Sequence, residues 1–264
     1  MRYLFCLFAL PLWAQQGVNT YSPEKERAIG ATFAGEVRRQ GAPFENEDVL
    51  AYVRRVVERL VGGMPVGSPV IRMEMIQLES GSEPVPFPGG FLLVPAKCLL
   101  AVQNDTELAG VLAHSMGHIA LRHGSRTAMR METAKFATIP LVFLGGWPGL
   151  HSDAQQTGAL VPNGLLDAQR GQELEADQLG VDLMRRAGFD PASYREYVRR
   201  TQPASASRGT PWLPSKEVRM AALDRLVGQV DGATQTASED FARVQQAVRR
   251  EVKPVSRAVP TLRR

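Results

Sequence analysis

The chain has 264 residues, of which 44% are hydrophobic and 22% charged, an ordinary globular composition with enough length for one domain and a real core. The net charge of +4 is modest, and much of the excess lies in 249–264, where six Lys/Arg stand against Glu251 alone. That tail carries no aromatic residue, which speaks against a nucleic-acid partner, and it reads as a solvated, partly disordered end.

Residues 1–14 read as a signal peptide: Arg2 is a positive start, Tyr3 to Trp13 a short apolar run, and Ala14 a cleavage point before polar Gln15 and Gln16. The mature protein is therefore expected to be exported, periplasmic or secreted. Cys6 leaves with the leader, and Cys98 alone permits no intrachain disulfide. The longest other apolar stretch, FATIPLVFLGGWPGL (136–150), is short and broken by Pro140, Gly145, Gly146 and Pro148. No transmembrane anchor is expected, which leaves peripheral membrane association open.

Ser22-Pro23 starts a helix that runs to about Gln40. A second helix spans about Asn46 to Val61, with Val49, Leu50, Val53, Val56, Val57 and Leu60 at amphipathic spacing. VIRMEMIQL (70–78) alternates as a half-buried strand does, and VPFPGGFLLVP (85–95) reads as a turn into a second strand, bent at Gly89-Gly90. The next helix begins near Asn104, with Glu107 in capping-box relation, and runs to about His123. Residues 136–166 form a lid or loop. A long helix covers about Asp167 to Ala187 and stops at Gly188; shorter helices follow near 191–201, 215–229 and 237–250. The fold class is α+β, mainly helical with a small β-sheet, in one domain over 22–230, followed over 231–264 by a C-terminal helix and the basic tail.

VLAHSMGHIALRH (111–123) sets His114 and His118 four residues apart, on one helical face where both can point at one ion. Alone, such a pair is more often structural. QELEADQLG (172–180) shifts the balance, because Glu173 and Asp177 again share a face, with Gly180. Glu173 can be a third metal ligand, Asp177 can accept the free ring N–H of a ligand histidine, and Gly180 lets the two helices approach. The competing reading of ELEAD is a solvated acidic face.

With these two motifs the chain resembles the zinc metallopeptidases of the CAAX prenyl protease and HtpX type, peptidase family M48, in their exported, BepA-like branch without membrane helices. The resemblance covers roughly Ser22 to Leu226, through SPEKERAIG, FPGGFLLVPAKCLL, NDTELAGVLAHSMGHIALRH, ELEADQLGVDLMRRAGFDP and LPSKEVRMAAL. It implies a zincin-like domain holding one zinc ion on His114, His118 and Glu173, with Asp177 orienting a ligand. It also implies that Phe91, Leu92, Leu93 and Val94 form an edge strand beside which an unfolded or extended polypeptide lies. Arg219 matches a family arginine near the catalytic centre, although Leu213-Pro214 stands where the family has His-Pro.

One departure bears on catalysis. The family pattern is H-E-x-x-H, and Ser115 stands where the glutamate acts as general base. The glutamate is not a ligand, so zinc binding and hydrolysis separate. A neutral hydroxyl is a poor base, and general acid–base catalysis is worth about 10²- to 10⁴-fold. His123, off the ligand face, reads as a surface or packing residue; His151 in the lid is a remote substitute, and Glu175 points about 200° from Glu173. Two functions remain: a zinc endopeptidase acting on misfolded or envelope proteins outside the cytoplasm with a weakened base, and an inactive zinc-binding relative that serves as a peptide-binding or chaperone-like module.

Overall fold

The Ser22 hydroxyl accepts from the Lys25 amide and Pro23 follows at the first helical position, and together they start α1 (Pro23–Arg39). The computed structural model describes residues 21–133, 163–203, 211–228 and 238–252. The expected signal peptide, the basic tail beyond residue 252 and most of the 136–166 segment, including His151, lie outside the described residues. Asn46 caps α2 (Glu47–Val61) through the Val49 amide. The face that α2 buries is the one its spacing marks, Val49, Val53, Val56, Val57 and Leu60, joined by Tyr52.

Four short strands make one mixed sheet: β1 (Ala42–Pro43), β2 (Arg72–Gln77), β3 (Val85–Phe87) and β4 (Phe91–Pro95). Their order is β1-β2-β4-β3, with β2 and β4 parallel and the other pairs antiparallel. The stretch expected as a turn and one strand is thus a tight hairpin, bent at Gly89 (φ 71°) and Gly90 (φ 98°). A Cβ on Gly90 would sit 2.0 Å from the Val70 carbonyl oxygen, so no side chain fits there. This pairing corrects one expectation. Phe91–Val94 is not an edge strand, because β4 is hydrogen-bonded to β2 on one side and β3 on the other. Leu92, Leu93 and Val94 are buried on both faces, as an apolar run without alternation demands. The edge on that side is β3, where Pro86, lacking an amide hydrogen, is tolerated.

Beyond the sheet come α3 (Cys98–Ala101), α4 (Asp105–Ala120), α5 (His123–Thr133), α6 (Asn163–Arg186), α7 (Pro191–Thr201), α8 (Lys216–Val227) and α9 (Glu239–Glu251). The molecule is α+β and mainly helical, and α4 runs through its middle with Leu108, Leu112 and Met116 wholly buried. Asn104 accepts from the Glu107 amide, and the Glu107 carboxylate reaches back to the Gln103 amide, a reciprocal cap one residue wider than the expected box. The C-terminal helix that the sequence sets apart inserts Phe241, Val244 and Val248 into the same core as α2 and α4. Gly188 (φ 73°) ends α6 as expected, with the Phe189 amide donating to the Met184 carbonyl.

The sequence carries the histidine helix on to His123, but α4 stops at Ala120 and Arg122 turns into the left-handed region (φ 55°). In an unbroken helix His123 would point about 140° away from His118. The reversal at Arg122 starts α5 at His123 and folds that ring back toward His118. Opposite this turn, α6 lies against α4 through two glycines. A Cβ on Gly180 would lie 3.0 Å from the His114 nitrogen, and one on Gly117 would lie 2.9 Å from the Ala176 carbonyl oxygen. Their absence sets the separation of the two helices.

Candidate metal centre

α4 presents His114 and His118, and α6 presents Glu173 across the close helix contact. The two Nε2 atoms are 3.2 Å apart. His114 Nε2 lies 3.4 Å from Glu173 Oε2, and His118 Nε2 lies 3.5 Å from Glu173 Oε1. A tetrahedral zinc site with bonds of 2.0–2.2 Å has ligand–ligand edges of about 3.3–3.6 Å. The two edges to Glu173 fall in that range and the histidine–histidine edge lies just below it, and two imidazoles with one carboxylate are the donor set of an open zinc centre. The residues present therefore fit the ion, which they would hold from one side.

Both histidines are oriented from behind. His114 Nδ1 lies 2.8 Å from Asp177 Oδ1, and its ring stacks on Tyr194 at 5.9 Å. Asp177 is wholly buried. It receives Arg219 Nε at 2.7 Å and Nη2 at 2.8 Å, and the Tyr194 hydroxyl at 2.7 Å. Burial opposes ionisation of Asp177, but the guanidinium and His114 outweigh it and hold the carboxyl well below its usual range. Burial likewise opposes charge on His114, yet Asp177 and Glu173 together raise its pKa to about 9. Arg219 is thus the anchor of Asp177 as well as part of the wall around the centre.

Behind His118 stands a second chain of groups that sequence reasoning did not find. His118 Nδ1 lies 3.0 Å from His123 Nδ1, and His123 Nε2 lies 3.0 Å from Glu175 Oε2, which also receives Arg126 at 2.7 Å. Were the His118 Nε2 lone pair directed at a cation, its proton would sit on Nδ1 and be donated to His123, which would donate in turn to Glu175. His123 is only 2% exposed, so it is a packing residue and not a surface one. The absence of charge follows from place: burial pushes His118 well below its usual value, helped by its positive neighbours, and takes His123 down to about 4. Glu175 does point away from Glu173, and that direction is what lets it meet His123. The one available signal was the continuation of the motif, His118 to His123, with Glu175 two residues past Glu173.

Ser115 is buried, and its hydroxyl donates back to the Val111 carbonyl at 3.1 Å, with the Pro84 carbonyl at 3.5 Å. It borders an open cavity of about 160 Å³ whose wall includes His114, His118, Glu173, Glu83, Pro86 and Tyr197. Pro84, just before β3, and Pro86 within it also line this cavity.

Residues 50–227, more than half of the chain, match the model of Peptidase family M48. The chain belongs to that family. Family M48 membership makes it a metallopeptidase homologue and implies a metal, usually zinc. Among curated relatives, the Beta-barrel assembly-enhancing protease of Escherichia coli is 25% identical over 248 residues, covering 88% of this chain and 50% of the relative. The protein of that name from Yersinia pestis is 26% identical over 190 residues, 69% of this chain and 38% of the relative. The Mitochondrial metalloendopeptidase OMA1 of Schizosaccharomyces pombe is 29% identical over 163 residues, 60% and 45% respectively. The chain thus spans half or less of the length of these relatives. No helix among the described residues is long and apolar enough to cross a membrane.

Proposed function

We propose that this M48 domain holds one zinc ion on His114, His118 and Glu173 and cleaves extended segments of misfolded or envelope proteins outside the cytoplasm. The observation that carries the reading is the convergence of the three donors at tetrahedral-edge spacing beside an open cavity. The leader-like residues 1–14 support the location, and the relatives named as proteases support the activity. An extended polypeptide would lie in the cavity beside β3, lined by Pro84, Pro86 and Tyr197, rather than along β4, both sides of which are already paired. Asp177, locked by Arg219 and Tyr194, sets the ring of His114; His123 and Glu175 set that of His118. Bound zinc would supply electrophilic polarisation of the scissile carbonyl and a more acidic water.

A second reading, an inactive peptide-binding relative, draws on one observation: the only group position 115 offers is a hydroxyl committed to the Val111 carbonyl. Metal analysis of the purified protein tests the shared part. About one zinc per chain is expected, lost in His114→Ala and Glu173→Ala; unchanged metal in both variants would overturn the site. Chelator-sensitive cleavage of labelled casein then separates the two readings.

A further inference from the structure

We propose that Glu83 supplies the general base that position 115 lacks, from the wall of the cavity that it shares with the metal ligands. The inference rests on the peptidase reading above. Four observations lead to it. Glu83 lines the same cavity as His114, His118, Glu173 and Ser115. The carbonyl of the next residue, Pro84, is 3.5 Å from the Ser115 hydroxyl. The Glu83-Pro84 segment therefore leans on the turn of α4 from which a longer side chain at 115 would emerge, and a serine leaves that space open.

The third observation is that the other carboxylates are engaged. Glu173 faces both histidines, Asp177 is held by Arg219, Tyr194 and His114, and Glu175 is turned to His123 and Arg126. Glu83 is held by a neutral phenol: the Tyr197 hydroxyl donates to Oε1, one bond of the several that a carboxylate can accept. The fourth is electrostatic. Burial pushes the Glu83 carboxyl pKa up, against the pull of the Tyr197 hydrogen bond and of His114 and Arg219. A carboxylate raised in this way is a stronger proton acceptor near neutral pH.

The proton balance closes on this residue. A water in the cavity gives one proton to the Glu83 carboxylate as the water oxygen bonds to the scissile carbonyl carbon. The carbon–nitrogen bond then breaks with its electron pair going to nitrogen, which takes the proton from Glu83. The products are a carboxylic acid and an amine, and Glu83 is again a carboxylate.

The test compares the natural protein, Glu83→Gln, Glu83→Asp and the double variant Ser115→Glu/Glu83→Gln, each assayed for zinc content, thermal unfolding and casein cleavage. Glu83→Gln is isosteric, so zinc content and unfolding temperature should hold while cleavage falls about 10²- to 10⁴-fold. Glu83→Asp should keep part of the activity, and the double variant should regain cleavage from a base restored at the family position. Undiminished cleavage by zinc-loaded Glu83→Gln would overturn the proposal and leave the peptidase reading intact. Zinc-loaded natural protein that does not cleave, beside a double variant that does, would also overturn it while sparing the metal site. A natural protein that binds no zinc would remove both.

Discussion

Replacing Arg219 by methionine keeps most of the buried apolar stem but removes the guanidinium that makes two hydrogen bonds to Asp177, at 2.7 and 2.8 Å, and one to the Tyr194 oxygen at 2.9 Å. Asp177 has no exposure to water, so its charge would be left to Tyr194 and His114. Breaking a buried pair from one side costs about 3–5 kcal/mol. Protonation of Asp177 caps that cost. Neutralising it at pH 7 from an ordinary pKa of 3.8 takes about 4.4 kcal/mol, at about 1.36 kcal/mol for each pH unit. The expected loss is therefore about 3–4 kcal/mol, read from urea unfolding by circular dichroism at pH 7 with a chelator present, so that metal binding does not enter. In an Asp177→Asn background no charge is stranded, and the same substitution should cost under about 1 kcal/mol, a coupling of about 2–3 kcal/mol. A loss below about 1 kcal/mol for Arg219→Met alone, or an equal loss in both backgrounds, would refute the account of Arg219 as the partner that makes Asp177 tolerable.

Zinc removal should lower the unfolding temperature, because the ion would tie α4 to α6 and bind the native state alone; an unchanged midpoint after verified removal contradicts the site. His123→Leu should weaken zinc binding about 10- to 100-fold in competition with a chromophoric chelator, the usual penalty for losing a partner of a ligand histidine, and unchanged affinity would show that His118 is oriented without it. Glu175 should make the fold acid-sensitive. Its pKa falls from 4.5 to about 2, chiefly through the His123 hydrogen bond and then Arg126, so its stabilisation is complete above the unfolded value and is lost as pH drops through that window. In Glu175→Gln the unfolding midpoint should depend less on pH between 4.5 and 2; an unaltered slope would exclude Glu175 as the source.

What the sequence determined by itself is local or repeated at short range. Ser22-Pro23, Asn46, Asn104 and Gly188 marked helix ends because caps act within a few residues of where they stand. The face of α2 followed from its own spacing. That His114, His118 and Glu173 come together was legible because i and i+4 positions share a face, and two such pairs beside glycines imply helices in contact. Tertiary structure decided the rest. Which strand is the edge depends on the partners of β4, which its own residues do not name; they showed only burial on both faces. The return of His123 to His118 hangs on one left-handed residue, Arg122, which carries no glycine or asparagine signal. Arg219 meets Asp177 across 42 residues. Glu83 reaches the cavity only because the sheet sets Pro84 against the turn of α4 that holds Ser115, 31 residues away. Hydrophobic pattern and capping are read along the chain, but a carboxylate's neighbours are set by helix and sheet packing, and the electrostatics of a buried site follow from those neighbours.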